Sequence, residues 1–93
     1  MNEIETKLIA LALYQLRIIL STVGEDAPHE VRLAWRLTYA LHNDAWAIVE
    51  GKSFDIEATL ARIEHIDHTI GGSEGRQIAE QFREVLFKNP NSG

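Results

Sequence analysis

The sequence predicts an all-α protein, folded as an up-and-down antiparallel four-helix bundle. Three observations support this class. Apolar side chains recur at helical spacing in four segments, Gly and Pro cluster near the ends of those segments, and no window alternates apolar and polar residues as a strand would. The connections are short, which makes successive helices antiparallel neighbours. The predicted helices cover about 3–22, 27–50, 54–70 and 74–88, within a single domain, 1–93.

The first helix begins at a capping box, in which Asn2 is followed three residues later by Glu5, and it continues to about Thr22 without Gly or Pro. Its apolar side chains cover more than half of the helix circumference: Ile4, Leu8, Ile9, Leu11, Ala12, Leu13, Leu16, Ile18, Ile19, Leu20 and Val23. A helix with so broad an apolar arc must be contacted on more than one side.

The second helix follows a turn, with Asp26 as the expected N-cap and Pro28 in the first turn, where its missing N–H is harmless. Gly51 is expected in the left-handed conformation that ends the helix. Its apolar arc consists of Val31, Ala34, Trp35, Leu37, Leu41, Ala45, Trp46, Ile48 and Val49. Its outer face is expected to hold Arg32, Arg36, Ala40, Asn43 and Asp44.

The third helix is capped by Ser53 or Asp55 and stopped by Gly71 and Gly72, and the fourth is capped by Ser73. The third helix carries a narrow apolar stripe: Ile56, Leu60, Ile63, Ile66 and Ile70. The fourth carries Ile78, Phe82, Val85 and Leu86, and it is expected to end at Asn89-Pro90.

Composition excludes several classes of function. The chain has 93 residues and no cysteine, so disulfides and thiolate chemistry are absent. Fourteen acidic residues against nine basic ones give a formal charge of −5, the wrong sign for binding nucleic acid, and favour a basic partner. The acidic N-terminus is unlike a signal peptide, and the apolar run in the first helix is too short to span a bilayer. We expect a cytoplasmic protein that binds no membrane.

Three polar residues interrupt the apolar arcs: Gln15, His42 and Asp67. If they meet, they form an internal polar cluster, and an Asp facing a His sometimes marks acid–base chemistry. The favoured interpretation is structural, because buried polar groups are normally paired, or Asp67 simply faces solvent near the end of its helix. No catalytic residue is assigned.

A run of residues from Glu64 to His68 carries two histidines, His65 and His68, on one helix. The spacing differs from that of zincins and of di-iron bundles, so a solvated helix face is favoured and no metal site is predicted. The glycine-rich segment 71–75 precedes a helix but lacks the Lys and the preceding strand of a phosphate loop. We expect no cofactor.

Aromatic and acidic residues give two candidate binding surfaces. Trp35, Tyr39, His42 and Trp46 follow one edge of the second helix and are either a binding strip or core, with Tyr39 the most exposed. Acidic side chains gather around the turn between the second and third helices, where they either present a negative patch or are simply solvated. The predicted partner-binding residues are Tyr39, Asp44, Glu50, Asp55, Glu57 and Glu64.

In layout the chain resembles the small helical immunity proteins of type VI secretion that neutralise NAD(P)-degrading effector toxins. The resemblance lies in the segments Ala10–Leu13, Gly51–Asp55, Leu60–Ile63 and 77–85. It implies a non-catalytic inhibitor that blocks a cognate bacterial toxin in the cytoplasm. Two alternatives stay open: a structural or regulatory homodimer, indicated by the broad apolar arc of the first helix, and a small enzyme or metal binder that uses the histidines and Asp67.

Overall fold

The structure is a computed structural model that describes residues 3–87. These residues form four α-helices: α1 Glu3–Leu20, α2 His29–Glu50, α3 Ile56–Ile70 and α4 Glu74–Phe87. No strand occurs between residues 3 and 87, and the predicted all-α class with four helices is confirmed. The chain divides between Asp55 and Ile56 into two compact units: α1 packs on α2 in the first, and α3 packs on α4 in the second. The single domain stays a prediction.

In the first unit α1 and α2 are antiparallel. Tyr14 contacts Trp46, with 5.2 Å between the ring centroids, and the Arg17 guanidinium lies over the Tyr39 ring. Residue numbers therefore increase along α1 in the direction in which they decrease along α2. The buried apolar side chains of this unit are all alanines: Ala10, Ala40 and Ala45. Small side chains let two helices approach closely, and the larger apolar side chains of both helices are only half-buried or exposed.

In the second unit α3 and α4 are also antiparallel, since the first turn of α4 meets the last turns of α3 and Arg83 reaches back to Glu57. Its core is more typical, with large side chains buried: Leu60, Ile63 and Ile66, together with Ala79. Gly71 and Gly72 have φ of 86° and 85°, the left-handed region that stops α3 as predicted.

Gly75 marks the closest approach of α4 to α3. A Cβ atom at this position would overlap the backbone carbonyl oxygen of Ile63 and would lie 2.9 Å from Oδ1 of Asp67. The residue is buried, so the backbone of α3, and not solvent, lies where a side chain would go. Only a glycine fits here, because any side chain would force the two backbones apart.

The N-cap of α2 was predicted wrongly, and α1 ends two residues before its predicted end. α1 ends at Leu20, because the hydroxyls of Ser21 and Thr22 donate to the carbonyls of Ile18 and Ile19 as the chain leaves the helix. Asp26 does not cap α2: the helix starts at His29 without any side-chain cap, and Pro28 occupies the N-cap position.

The remaining ends are close to prediction. Gly51 ends α2 in the left-handed region as expected, with φ 75°, and α3 starts at Ile56, two residues later than predicted. Ser73 stands before α4, and its carbonyl accepts from Gln77, but the carboxylate that binds the α4 N–H groups belongs to Asp67. Asn2 of the capping box, residue 88 and the Asn89-Pro90 stop lie outside the described residues.

Candidate protein-binding surface

The outward face of α1 is apolar and exposed along its whole length. Ile4 is 79% exposed, Leu8 66% and Ile19 58%, although a helix of a soluble domain normally turns such side chains inward. The face turned towards α2 holds instead Ala10, which is buried, with Leu13 and Arg17 half-buried beside it. The predicted arc is present but mostly uncovered, because α2 packs on Ala10 and Arg17, which lie outside it, and reaches the arc only at its margin, near Leu13. The other large apolar side chains of α1 that are exposed are Ile9, Leu11, Leu16 and Ile18.

Five rings form a continuous strip at one edge of the α1–α2 contact. On α2, Tyr39 lies between Trp35 and His42, with centroid distances of 5.9 Å and 5.0 Å. Tyr14 of α1 contacts both His42 and Trp46, at 6.2 Å and 5.2 Å. Tyr39 and Trp46 are exposed, whereas Trp35, His42 and Tyr14 are half-buried. The strip therefore serves in part as packing and in part as accessible surface.

Two arginines lie on this strip. The Arg17 guanidinium is 5.3 Å from the centre of the Tyr39 ring, and that of Arg36 is 4.3 Å from the centre of the Trp35 ring, both within the range of a cation–π contact. Within residues 3–87, the buried Nε atoms of both arginines and Nε1 of Trp35 have no hydrogen-bond partner. Tyr14 and Arg17 were not predicted as members of the strip, although their spacing of three along α1 places both towards one neighbour.

An apolar groove of about 230 Å³ lies between α1 and α2. Ile9 and Leu13 line it from α1, Leu41 and Ile48 from α2, and Phe54 from the chain that follows α2. Buried Asp44 also lines it, although it was expected on the outer face of α2. That expectation, and the same one for Ala40, was wrong: both residues lie on the side of α2 that α1 covers, where small side chains permit close packing.

One of the five predicted acidic residues does not lie at the surface. Asp44 is buried and is not a surface carboxylate. Glu50 is exposed, and its carboxylate is 3.5 Å from Nζ of Lys52, while Asp55 is exposed in the connection before α3. A surface pair of this kind contributes little to stability, but its opposite charges reduce the local negative potential.

Glu57 and Glu64, the other two acidic candidates, both face Arg83 of α4. Nη1 of Arg83 is 2.9 Å from Glu64, and Nη2 is 3.4 Å from Glu57. The hydrogen bond to Glu64 holds the pKa of Arg83 above its ordinary value. The two carboxylates therefore bridge the pair of helices. As partner-binding residues, Tyr39 and the five acidic residues stay predictions.

The three residues of the predicted polar cluster lie on three different helices, Gln15 on α1, His42 on α2 and Asp67 on α3. Gln15 is exposed on α1, and Nδ1 of half-buried His42 is 2.6 Å from the carbonyl oxygen of Tyr39. Asp67 accepts hydrogen bonds from the backbone N–H of Gly75 at 2.7 Å and of Arg76 at 3.0 Å. A carboxylate at this place satisfies unpaired donors of α4 and faces the positive end of its dipole. These contacts give Asp67 a structural role, and a cluster of the three residues stays a prediction.

The two histidines of α3 lie side by side on an exposed face. The rings of His65 and His68 are 5.4 Å apart and tilted by 34°. Among residues 3–87, no three His, Cys, Asp or Glu side chains converge in a way that could hold a metal ion.

Comparison with protein families, curated proteins and solved structures gives no match for this chain. Membership of the immunity family therefore stays a prediction. No helix within residues 3–87 combines the length and the apolar character needed to cross a bilayer.

Proposed function

We propose that this protein is non-catalytic and acts by binding another polypeptide through the outward face of α1. The observation that supports this is the exposure of large aliphatic side chains along the entire helix, with Ile4, Leu8 and Ile19 each more than half exposed. Contiguous apolar surface beyond a few hundred Å² is uncommon on monomeric proteins and usually marks a binding site.

The surroundings of the other candidate residues also favour binding over catalysis. The groove beside α1 has aliphatic and aromatic walls, and the His42 ring is held between a backbone carbonyl and two tyrosine rings. Asp67, the carboxylate considered for acid–base chemistry, is bonded to the first turn of α4. Each of these groups is accounted for by packing or by capping.

Two kinds of partner fit a protein of this type. The first is a cognate toxin, as the resemblance to immunity proteins implies, and the formal charge of −5 favours a basic partner. The second is another copy of this chain, which the apolar character of α1 favours, since interfaces between identical subunits are richer in apolar surface than transient ones. In either case the cytoplasm is the proposed location.

Site-specific photo-crosslinking in the cells that make the protein tests the proposal. A photoreactive amino acid in place of Leu8 should give one dominant adduct, because this side chain lies in the middle of the proposed interface. The matched control carries the same group in place of Glu80, an exposed residue of α4. Mass spectrometry of the adduct identifies a toxin or a second copy. If position 8 gives no more product than position 80, α1 is not a docking helix and the proposal is wrong.

A further inference from the structure

The first unit is an incomplete helical layer. Its buried apolar residues are Ala10, Ala40 and Ala45, and its other buried residues are Thr38 and Asp44, so none of its large apolar side chains is buried. A pair of helices is stable when a further layer covers the apolar face that the pair leaves open. The exposed face of α1 is where such a layer is needed.

The apolar face of α1 has the spacing of a helix-pairing seam. Ile4, Leu8, Leu11, Gln15 and Ile19 follow one another in steps of four, three, four and four, which keeps them on one side of the helix. That side points away from buried Ala10. The seam is apolar except at Gln15, and it runs from the first turn of α1 to the last.

From this geometry we infer that the occupant of the seam is a second copy of the chain, whose α1 packs antiparallel against the first α1 about a two-fold axis near Leu11 and Ala12. This inference rests on the proposed function and names its partner. The two hairpins together then form a four-helix layer, in which each α1 is covered on both sides.

The seam is complementary to itself in the antiparallel direction. With the axis between residues 11 and 12, Ile4 packs against Ile19 of the other copy, Leu8 packs against the methylene groups of Gln15, and Leu11 packs against the small side chain of Ala12. A large side chain opposite a small one at the axis allows the helices to interdigitate. An isologous contact of this kind closes as a dimer.

Charge selects the antiparallel direction over the parallel one. α1 carries Glu3 and Glu5 in its first turn and Arg17 in its last. A parallel pair would bring four carboxylates and two positive helix ends together, whereas the antiparallel pair sets each acidic end beside the C-terminal end of the other helix.

The seam exposes apolar surface along its length that a second copy can bury. Its four Ile and Leu side chains, Ile4, Leu8, Leu11 and Ile19, are between 46% and 79% exposed. Two copies together would remove all eight of these side chains from water, and burial of apolar surface is the main driving force of association.

Engineered cysteines test the register directly, because the chain has none of its own. Ala12→Cys should form an intermolecular disulfide across the axis, at least about 10-fold faster than Glu80→Cys, the exposed control on α4. Ile4→Cys alone should not form one, but a mixture of Ile4→Cys and Ile19→Cys chains should. Dimers linked through Ile4→Cys alone would overturn the antiparallel arrangement.

Sedimentation equilibrium measures the dimer itself. We expect a dimer that Leu8→Lys weakens about 100-fold, because each subunit then buries a charge against the other. Leu8 is 66% exposed, so the substitution leaves the fold of the subunit intact, and Val85→Lys at a 75% exposed position of α4 is the matched control. A chain that stays monomeric up to ~100 µM, or a dimer equally affected by both substitutions, would overturn the inference. A monomer whose position 8 still crosslinks to a different protein would overturn the dimer and leave the proposed function standing.

Discussion

Replacing Gly75 with alanine should destabilise the protein, although helix propensity alone predicts that the substitution stabilises it. In an open helix, Gly→Ala stabilises by ~1 kcal/mol, because alanine loses less backbone entropy on folding. Gly75 is buried in the first turn of α4, where an added Cβ would overlap the carbonyl oxygen of Ile63. The contacting atom belongs to the backbone of α3, which cannot move aside as a flexible side chain would.

The cost follows from two contacts. Overpacking a closely packed site costs ~1–3 kcal/mol, and the Cβ would also crowd Asp67 and weaken its bond to the Gly75 N–H, for about 1 kcal/mol more. These losses exceed the gain in propensity, and we expect a net destabilisation of about 2 kcal/mol. In a domain of this size the melting temperature would fall by ~10 °C.

Urea denaturation followed by far-ultraviolet circular dichroism measures this change. Gly24→Ala is the matched control: it is the same substitution, but the nearest atom is the carboxylate of Asp26 at 2.8 Å, the mobile end of an exposed side chain. We expect the control to change the unfolding free energy by less than ~0.5 kcal/mol. If Gly75→Ala proved as stable as the natural chain, or more so, the close approach of α3 and α4 would be refuted.

Three further predictions concern single contacts. Asp67→Ala should cost about 1–2 kcal/mol in urea denaturation, because two N–H groups of α4 lose their acceptor, and a loss no larger than that of Glu80→Ala would contradict this role. Gly51→Ala should lower the unfolding free energy by ~1 kcal/mol through backbone strain alone, since φ is 75° and the space around the residue is open. Gly51→Asn should lower it less, because asparagine tolerates the left-handed region better, and equal losses for the two variants would argue against strain. The hydrogen bond and charge of Lys7 hold the pKa of Glu3 below its ordinary 4.5, so the pair contributes to stability above that pH and the contribution is lost as pH falls through the lowered pKa. Lys7→Gln should return the pKa of Glu3 to its ordinary value in a nuclear magnetic resonance titration. If the pKa of Glu3 were the same in the variant as in the natural chain, the contact between Lys7 and Glu3 would be excluded.

Local features of the sequence predicted the helices correctly. Periodicity located all four, and Gly51, Gly71 and Gly72 predicted two of their ends, because only glycine adopts positive φ there without strain. Such features act over a few neighbouring residues, and one sequence contains them in full. The prediction that Asp26 caps α2 was wrong, because Pro28 occupies the N-cap position and its ring fixes the backbone conformation there.

Contacts between helices could not be predicted in the same way. The periodicity of α1 put Leu8 in the apolar arc and left Ala10 outside it, and this was wrong, because Ala10 is buried against α2 and Leu8 is exposed. Asp44 was expected on the outside because charged residues are rarely buried. The cap of α4 was assigned to Ser73, the nearest residue, whereas the carboxylate that binds its N–H groups comes from Asp67 in the preceding helix. Each outcome depends on the path of the backbone.

The hydrogen bonds of Asp67 also bear on the order in which the chain folds. They join residues only eight and nine positions apart, so the loop closed by them costs little chain entropy. α4 gains its first satisfied donors only once the last turn of α3 exists, and formation of one helix therefore promotes formation of the other. Contacts so local are made within microseconds, early enough for the α3–α4 hairpin to serve as a folding nucleus.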